Sequence, residues 1–144
     1  MKKLRLIVVA TRPPTWLSTA EQFYSKQLQR FELAITAIRP STKEKEATLI
    51  LEKCPPATHL ILLDVRGKAL NSETFATTVG NWLQQTTPVL VIAGAHGAAQ
   101  RLSDTANEVL SLSALTFPHA LARLVLVEQL FRADCILRNH PYPR

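Results

Sequence analysis

Ser111-Leu-Ser-Ala-Leu-Thr-Phe-Pro-His-Ala-Leu-Ala-Arg123 is the stretch whose reading decides the fold. It reads as the end of a short strand, a loop and the start of a long terminal helix. Pro118 suits the first helical position, where its missing N–H costs nothing, and Thr116 or Ser113 is expected to supply a hydroxyl cap before it. Beyond it Leu121, Leu124, Val125, Leu126, Val127, Leu130, Phe131, Ile136 and Leu137 are apolar on more than one face, so the helix needs burial nearly all round. One core face cannot cover that surface. The simplest second partner is a copy of the same chain across a two-fold axis, which makes a homodimer the expectation. The plain alternative is a buried core helix.

Working back from this stretch, Glu108 to Leu112 reads as the last strand and Ala98 to about Asn107 as a short helix before it. Pro88 to Ala93 is a buried strand followed by Gly94-Ala-His-Gly97, and Phe75, Val79, Trp82 and Leu83 mark a helix ahead of it. His59 to Asp64 is another buried strand, with Val65 to Asn71 expected as a polar loop tipped by Arg66, Gly67 and Lys68. Ser41 and Glu44 form a capping-box pattern that opens a helix ending at Pro55-Pro56. Leu4 to Val9 and Phe31 to Ile38 are strands flanking a helix from Trp16 to about Arg30, in which Leu17, Ala20, Tyr24 and Leu28 recur at helical spacing. Strands that alternate with helices predict an α/β fold, a mainly parallel sheet with helices on both faces.

The totals narrow the class. A chain of 144 residues, 47% of them hydrophobic, is long enough for one domain with its own core and short for two. Seventeen Lys and Arg against eleven Asp and Glu give a net charge of +6, which favours a polyanionic partner such as RNA; a surface that is merely basic is the plain alternative. Lys2, Lys3, Arg5, Arg12, Lys26 and Arg30, together with Arg66 and Lys68, are expected to form that basic surface. Cys54 and Cys135 have no cysteine or histidine at metal-ligand spacing, so neither a disulfide nor a metal site is expected. The apolar run at the N-terminus is too short for a signal peptide and none approaches a membrane span, so a cytoplasmic chain is the expectation.

Three segments resemble one family. Ser111 to His119, then Arg123-Leu-Val-Leu-Val-Glu-Gln-Leu-Phe-Arg132-Ala and Asn139-His-Pro-Tyr142, are similar to the C-terminal signature of the ribosomal RNA large-subunit pseudouridine N3-methyltransferases, of the SPOUT or α/β-knot superfamily. Leu62-Leu-Asp-Val-Arg-Gly-Lys68 and Val91-Ile-Ala-Gly-Ala-His-Gly97 extend the resemblance, which is collinear over the chain. It implies a single domain over residues 1–144 whose C-terminal segment is tucked through a loop in a deep trefoil knot. It also implies S-adenosylmethionine as cofactor and a pseudouridine of 23S rRNA in the assembled ribosome as substrate.

Loops at the carboxyl ends of parallel strands are where such sheets bind ligands. Those after Leu63, after Ala93 and from Ser113 to Pro118 offer main-chain groups for the edge of a purine and apolar walls around it. The resemblance assigns the cofactor to these loops, at Leu63, Gly94, Ser113, Ala114, Leu115, Thr116, Phe117 and Pro118. The residues expected to orient the acceptor base and its phosphates are Arg132, His140, Tyr142 and Arg144, with His119 near the helix start. The chain departs from the family pattern in two places. Ala93 stands where the family has the first of two glycines, which would weaken cofactor binding if that position needed positive φ or close contact with the cofactor, and the chain ends Pro143-Arg144, without the family's tail histidine. Both motivate the alternative of a non-catalytic ribosome binder of the same fold. A nucleotide-binding α/β protein unrelated to RNA is a third reading. Asp64 and Glu128, the carboxylates that look most buried, are each expected to have a basic or main-chain partner.

Overall fold

The computed structural model describes residues 1–85 and 87–142. Five strands and five helices follow one another as β1 (Lys2–Val9), α1 (Thr15–Ser25), β2 (Phe31–Ile38), α2 (Lys43–Glu52), β3 (His59–Ala69), α3 (Ser72–Gln84), β4 (Pro88–Ile92), α4 (Gln100–Thr105), β5 (Glu108–Ser111) and α5 (His119–Leu137). The strands form one parallel sheet in the order β2-β1-β4-β3-β5.

Strand side chains alternate between two cores, as the period of two requires. Leu4, Leu6 and Val8 of β1 join Phe75, Val79 and Trp82 of α3 and Leu126, Val127 and Leu130 of α5 on one face, with Tyr24 of α1 packed against them. Ile7 and Val9 join Ala47 and Ile50 of α2 and Leu102 of α4 on the other. Helices α1, α3 and α5 therefore cover one face and α2 and α4 the opposite one.

Local chemistry explains several boundaries. Thr42 caps α2 by accepting the Lys45 N–H at 3.2 Å. The expected capping box at Ser41 and Glu44 is displaced by one residue, and the acid that reaches back is Glu46, which accepts the Ser41 N–H at 2.8 Å. Asn71 caps α3 by accepting from the Thr74 main chain at 2.8 Å. Helix α1 stops at Ser25 rather than near Arg30, because residues 26–30 turn the chain into β2. Pro118 is the residue that caps α5, not its first helical one, and it does so with no side-chain hydrogen bond; the Ser113 hydroxyl is spent on the Leu115 N–H at 3.0 Å. Asn139, at φ 56°, closes the C-terminal end of α5, and the His140 N–H returns to the Cys135 carbonyl at 2.9 Å.

The segment expected as a polar loop after Asp64 is instead part of β3, which continues to Ala69 through an irregularity in which Leu63 and Lys68 both pair with Leu110. The extra residues bulge outward because a β-bulge lengthens one strand against its partner. A Cβ on Gly67 would lie 2.7 Å from the Leu110 and Val109 main chain, so only glycine lets the bulge close on β5.

Helix α5 is seated by two buried polar contacts. Arg123 donates to Glu21 of α1 at 2.8 Å, both residues being buried. Asp134, fully buried, accepts the Arg30 N–H at 2.7 Å, the Gln29 N–H at 3.2 Å and Arg138 Nε at 2.9 Å. The most buried carboxylates are thus Asp134, Glu46 and Glu21, not Asp64 and Glu128 as expected from the sequence. Replacing Asp134 by Ala leaves two main-chain donors and Arg138 without their acceptor. The expected loss of unfolding free energy is about 3 kcal/mol, against less than about 1 kcal/mol for Arg138→Gln, read by chemical denaturation of both variants.

Candidate active site

The connection after β4 leads to α4 on one face of the sheet, whereas those after β1 and β3 lead to α1 and α3 on the other. Chains that part to opposite faces leave a crevice at the carboxyl ends of the strands. Strand β4 consequently has a crevice on each side.

The crevice between β4, β3 and β5 is a cleft of about 130 Å³ lined by Leu63, Asp64, Val65, Ile92, Leu112, Ser113, Leu115, Thr116, Phe117 and Ala122. Its walls are largely apolar, and its floor is the segment between β5 and α5. There Ser111 Oγ donates to the Ser113 carbonyl at 2.9 Å and Ser113 Oγ accepts the Leu115 N–H. The N–H groups of Ala114, Thr116 and Phe117 have no partner among the described residues. Unspent main-chain groups beside apolar walls are what the edge and faces of a purine need. The volume lies below the range of about 300–1,000 Å³ typical of whole-ligand pockets, so it holds a ring rather than an entire cofactor.

Five of the eight residues expected around the cofactor, Leu63, Ser113, Leu115, Thr116 and Phe117, line this cleft. Ala114 and Pro118 belong to the same segment without lining it. Gly94 faces elsewhere: a Cβ there would lie 3.1 Å from Val9 and 3.2 Å from the Glu46 carboxylate. Among the described residues only Asn139 and Gly97 have positive φ, so Ala93 has an ordinary backbone and carries no penalty of that kind.

At the rim of the cleft Asp64 is clamped by Arg66, which donates from Nη2 at 3.0 Å, from Nε at 3.1 Å and from its N–H at 2.9 Å. The side-chain hydrogen bond from Arg66 holds the Asp64 carboxyl below its ordinary value. Arg66 is spent in the bulge and is not a free cation at a loop tip, as its place in the expected basic surface required. Arg5 and Arg30 likewise donate to the carbonyls of Lys53 and Leu137. Lys2, Lys3, Arg12, Lys26, Arg30 and Lys68 are exposed, and Arg66 is exposed although paired with Asp64.

Arg132 and Tyr142 converge on one carboxylate, and His140 supports Tyr142. The Tyr142 hydroxyl donates to Glu128 at 2.6 Å, Arg132 Nη2 donates to the same oxygen at 2.8 Å, and the Arg132 guanidinium lies 5.3 Å from the Tyr142 ring centre. Phe131 packs at 4.8 Å against that ring. Burial and the Glu128 hydrogen bond push the phenol pKa well up, so Tyr142 stays a donor. His140 Nδ1 accepts the Tyr142 N–H at 3.1 Å and so shapes the turn that folds Tyr142 back. Arg144 lies outside the described residues. Gln129 extends the cluster: its amide donates to Glu128 at 2.8 Å, and its oxygen accepts from the Ser72 hydroxyl at 2.7 Å. Ser72 and Gln129 line a cavity of about 360 Å³ that shares Leu63 and Leu112 with the cleft.

Sequence reasoning missed Glu21, Glu46 and Asp134. Glu21 falls four residues after Leu17 on the inward face of α1, and Asp134 falls four before Arg138, so a polar residue at a core position of the helical pattern was the available signal. Among the described residues no group of three or more His, Cys, Asp or Glu could hold a metal ion, and no helix is long and apolar enough to cross a membrane.

Residues 2–143 match the family model described as predicted SPOUT methyltransferase. The ribosomal RNA large subunit methyltransferase H of Francisella tularensis subsp. novicida is 37% identical over 152 residues, covering 97% of this chain and 98% of its own. The protein of that name from Synechococcus sp. is 40% identical over 142 residues, covering 99% and 95%. That from Xylella fastidiosa is 37% identical over 156 residues, covering 100% and 99%. Matched along nearly its whole length by both comparisons, this chain belongs to the SPOUT methyltransferase family, among the relatives of ribosomal RNA large subunit methyltransferase H.

Proposed function

We propose that the chain is a single-domain, homodimeric, S-adenosylmethionine-dependent enzyme that methylates N3 of a pseudouridine in 23S rRNA of the assembled ribosome, with its C-terminal segment threaded as the family's trefoil knot. The observation that carries this reading is the cleft beside β4. Its free N–H groups at Thr116 and Phe117, with Ala114 in the same segment, and its Leu63, Leu115 and Phe117 walls suit the adenine of the cofactor. Ser113 and Pro118 hold the segment in shape. When bound, the cofactor supplies an electrophilic methyl group on sulfur. The protein's part is to align the acceptor nitrogen with it and to hold the base and its phosphates, work that needs positioning more than an acid–base triad.

The homodimer is supported by apolar side chains left uncovered on α1 and α5. Trp16 is 52%, Phe23 62% and Leu121 41% exposed, more than isolated surface residues account for when they share neighbouring helices. A second copy would bring the Arg132 and Tyr142 cluster of one protomer to the cleft of the other, with the C-terminal Arg144 following Tyr142 by two residues in the sequence. The rival reading of a non-catalytic ribosome binder rests on Ala93 and on the altered tail; of these, the positive-φ argument at Ala93 falls away with its ordinary backbone.

Calorimetric titration with S-adenosylmethionine is expected to show binding by the native chain, and Ala93→Gly to change the affinity by no more than about threefold, or about 0.7 kcal/mol. Absence of binding by both proteins would overturn the cofactor assignment. In a second test, Tyr142→Phe and removal of Arg144 are each expected to lower methyl transfer to ribosomes by about tenfold or more, with cofactor affinity changed less than about twofold. Unchanged transfer by both would remove the tail from the site.

A further inference from the structure

Two residues at the start of α3, Asn71 and Ser72, are both of the kind that caps a helix. Asn71 takes that task, since its side chain accepts the Thr74 N–H at 2.8 Å. The Ser72 hydroxyl is left for another partner, and it donates to Gln129 Oε1 of α5 at 2.7 Å. Gln129 in turn donates from Nε2 to Glu128 Oε1 at 2.8 Å. The other oxygen of that carboxylate, Oε2, receives Arg132 Nη2 at 2.8 Å and the Tyr142 hydroxyl at 2.6 Å. One chain of side-chain hydrogen bonds therefore runs from the first turn of α3 to the C-terminal tail.

The carboxylate at the far end fixes the direction of this chain. An ionised carboxylate only accepts, so Gln129 has to turn its nitrogen to Glu128 and its oxygen to Ser72. A flipped amide would set oxygen against oxygen at Glu128, and the Ser72 hydroxyl, by donating to the amide oxygen, favours the productive orientation. The consequence for Glu128 is geometric. Arg132 and Tyr142 both hold the same oxygen, and the last side-chain torsion of a glutamate is broad, so a carboxylate held at one oxygen can still swing. The Gln129 amide on the second oxygen fixes its plane. Glu128 is partly buried, its side chain 19% exposed, where a hydrogen bond is stronger than in open water.

We propose, building on the methyltransferase reading, that Gln129, oriented by Ser72, is a positioning residue for methyl transfer: through Glu128 it sets the place of Arg132 and of the Tyr142 hydroxyl. Gln129 and Ser72 themselves stand outside the cofactor cleft, in the adjoining cavity of about 360 Å³. A displacement of about 1 Å in groups that orient a reactant costs as much as about 100-fold in rate. Loosening Glu128 is therefore read in kcat and not in cofactor affinity.

The test uses the full-length protein with ribosomes as acceptor. Gln129→Leu is expected to lower kcat about fivefold or more, with KM for ribosomes and S-adenosylmethionine affinity each within about twofold. Ser72→Ala is expected to lower kcat about threefold, and Ser72→Thr, which keeps the hydroxyl, to restore it. In a Glu128→Ala background the loss from Gln129→Leu is expected to vanish, because the residue acts through that carboxylate. The sequence has two tyrosines, so isotopic labelling of the phenol carbon gives Tyr142 its own NMR signal. That signal is expected to move in Gln129→Leu and Ser72→Ala towards its position in Glu128→Ala. An unmoved signal, unchanged kcat in both single variants, or an equal loss in the Glu128→Ala background would each overturn the assignment. In a protein that transfers no methyl group the tyrosine signal still decides. If it moves, the tail-holding role stands and only the methyltransferase reading is discarded; if it does not, both are.

Discussion

The site depends on the path of one connection. The chain leaves β4 towards α4 on one face of the sheet, while its neighbours β1 and β3 send their helices to the other. Backbones that diverge in this way cannot close over the strand ends, so β4 stands between two crevices. Both are bounded by the start of α5, whose preceding segment floors the one and whose first turn walls the other. A single turn of main chain after β4 separates the two crevices. Gly94 opens that turn, which closes with the Gly97 N–H on the Gly94 carbonyl at 3.0 Å, and Val9 and the Glu46 carboxylate leave little room for a side chain there.

Helix α5 has to be held firmly for this arrangement to persist, and apolar contact alone would not fix its rotation. Its apolar residues lie all round, so sliding or turning would exchange one greasy surface for another. Two buried polar contacts supply the missing direction. Arg123 meets Glu21 of α1 near the first turn, and Asp134 receives two main-chain N–H groups at the entry to β2 near the last. A buried charge without its partner costs several kcal/mol, which makes every other rotation of the helix expensive. Glu128, on the side of α5 where Tyr142 folds back, is then placed to gather Arg132 and Tyr142.

Much of the fold was legible in the sequence because strand and helix periods differ and because two-sided burial produces unbroken apolar runs such as Leu4 to Val9 and Pro88 to Ile92. Strand β2 was read at its observed limits. The misreadings cluster where local chemistry competes with itself. Ser41 and Thr42 are both good caps, and the one that acts is decided by Glu46 reaching back to the Ser41 N–H. Residues 64–69 are polar enough for a loop, yet Gly67 lets them lie on β5 and complete the sheet edge. Arg66 looked like a free cation at a loop tip, and its partner proved to be Asp64 two residues away.

The sequence by itself determined the element types, the α/β class, the net charge of +6 and, through Ser111 to His119 and Asn139 to Tyr142, the family. These are properties of local period, composition and motif, each carried by residues close together in the chain. Strand order, the faces to which the helices go, the two crevices beside β4 and the pairing of Glu21 with Arg123 were decided only by the tertiary structure. They join residues as far apart as Glu21 and Arg123 or Arg30 and Asp134, and no local pattern encodes which distant partner a buried charge will meet. That choice belongs to the packed chain, where an unpaired group has no water to turn to.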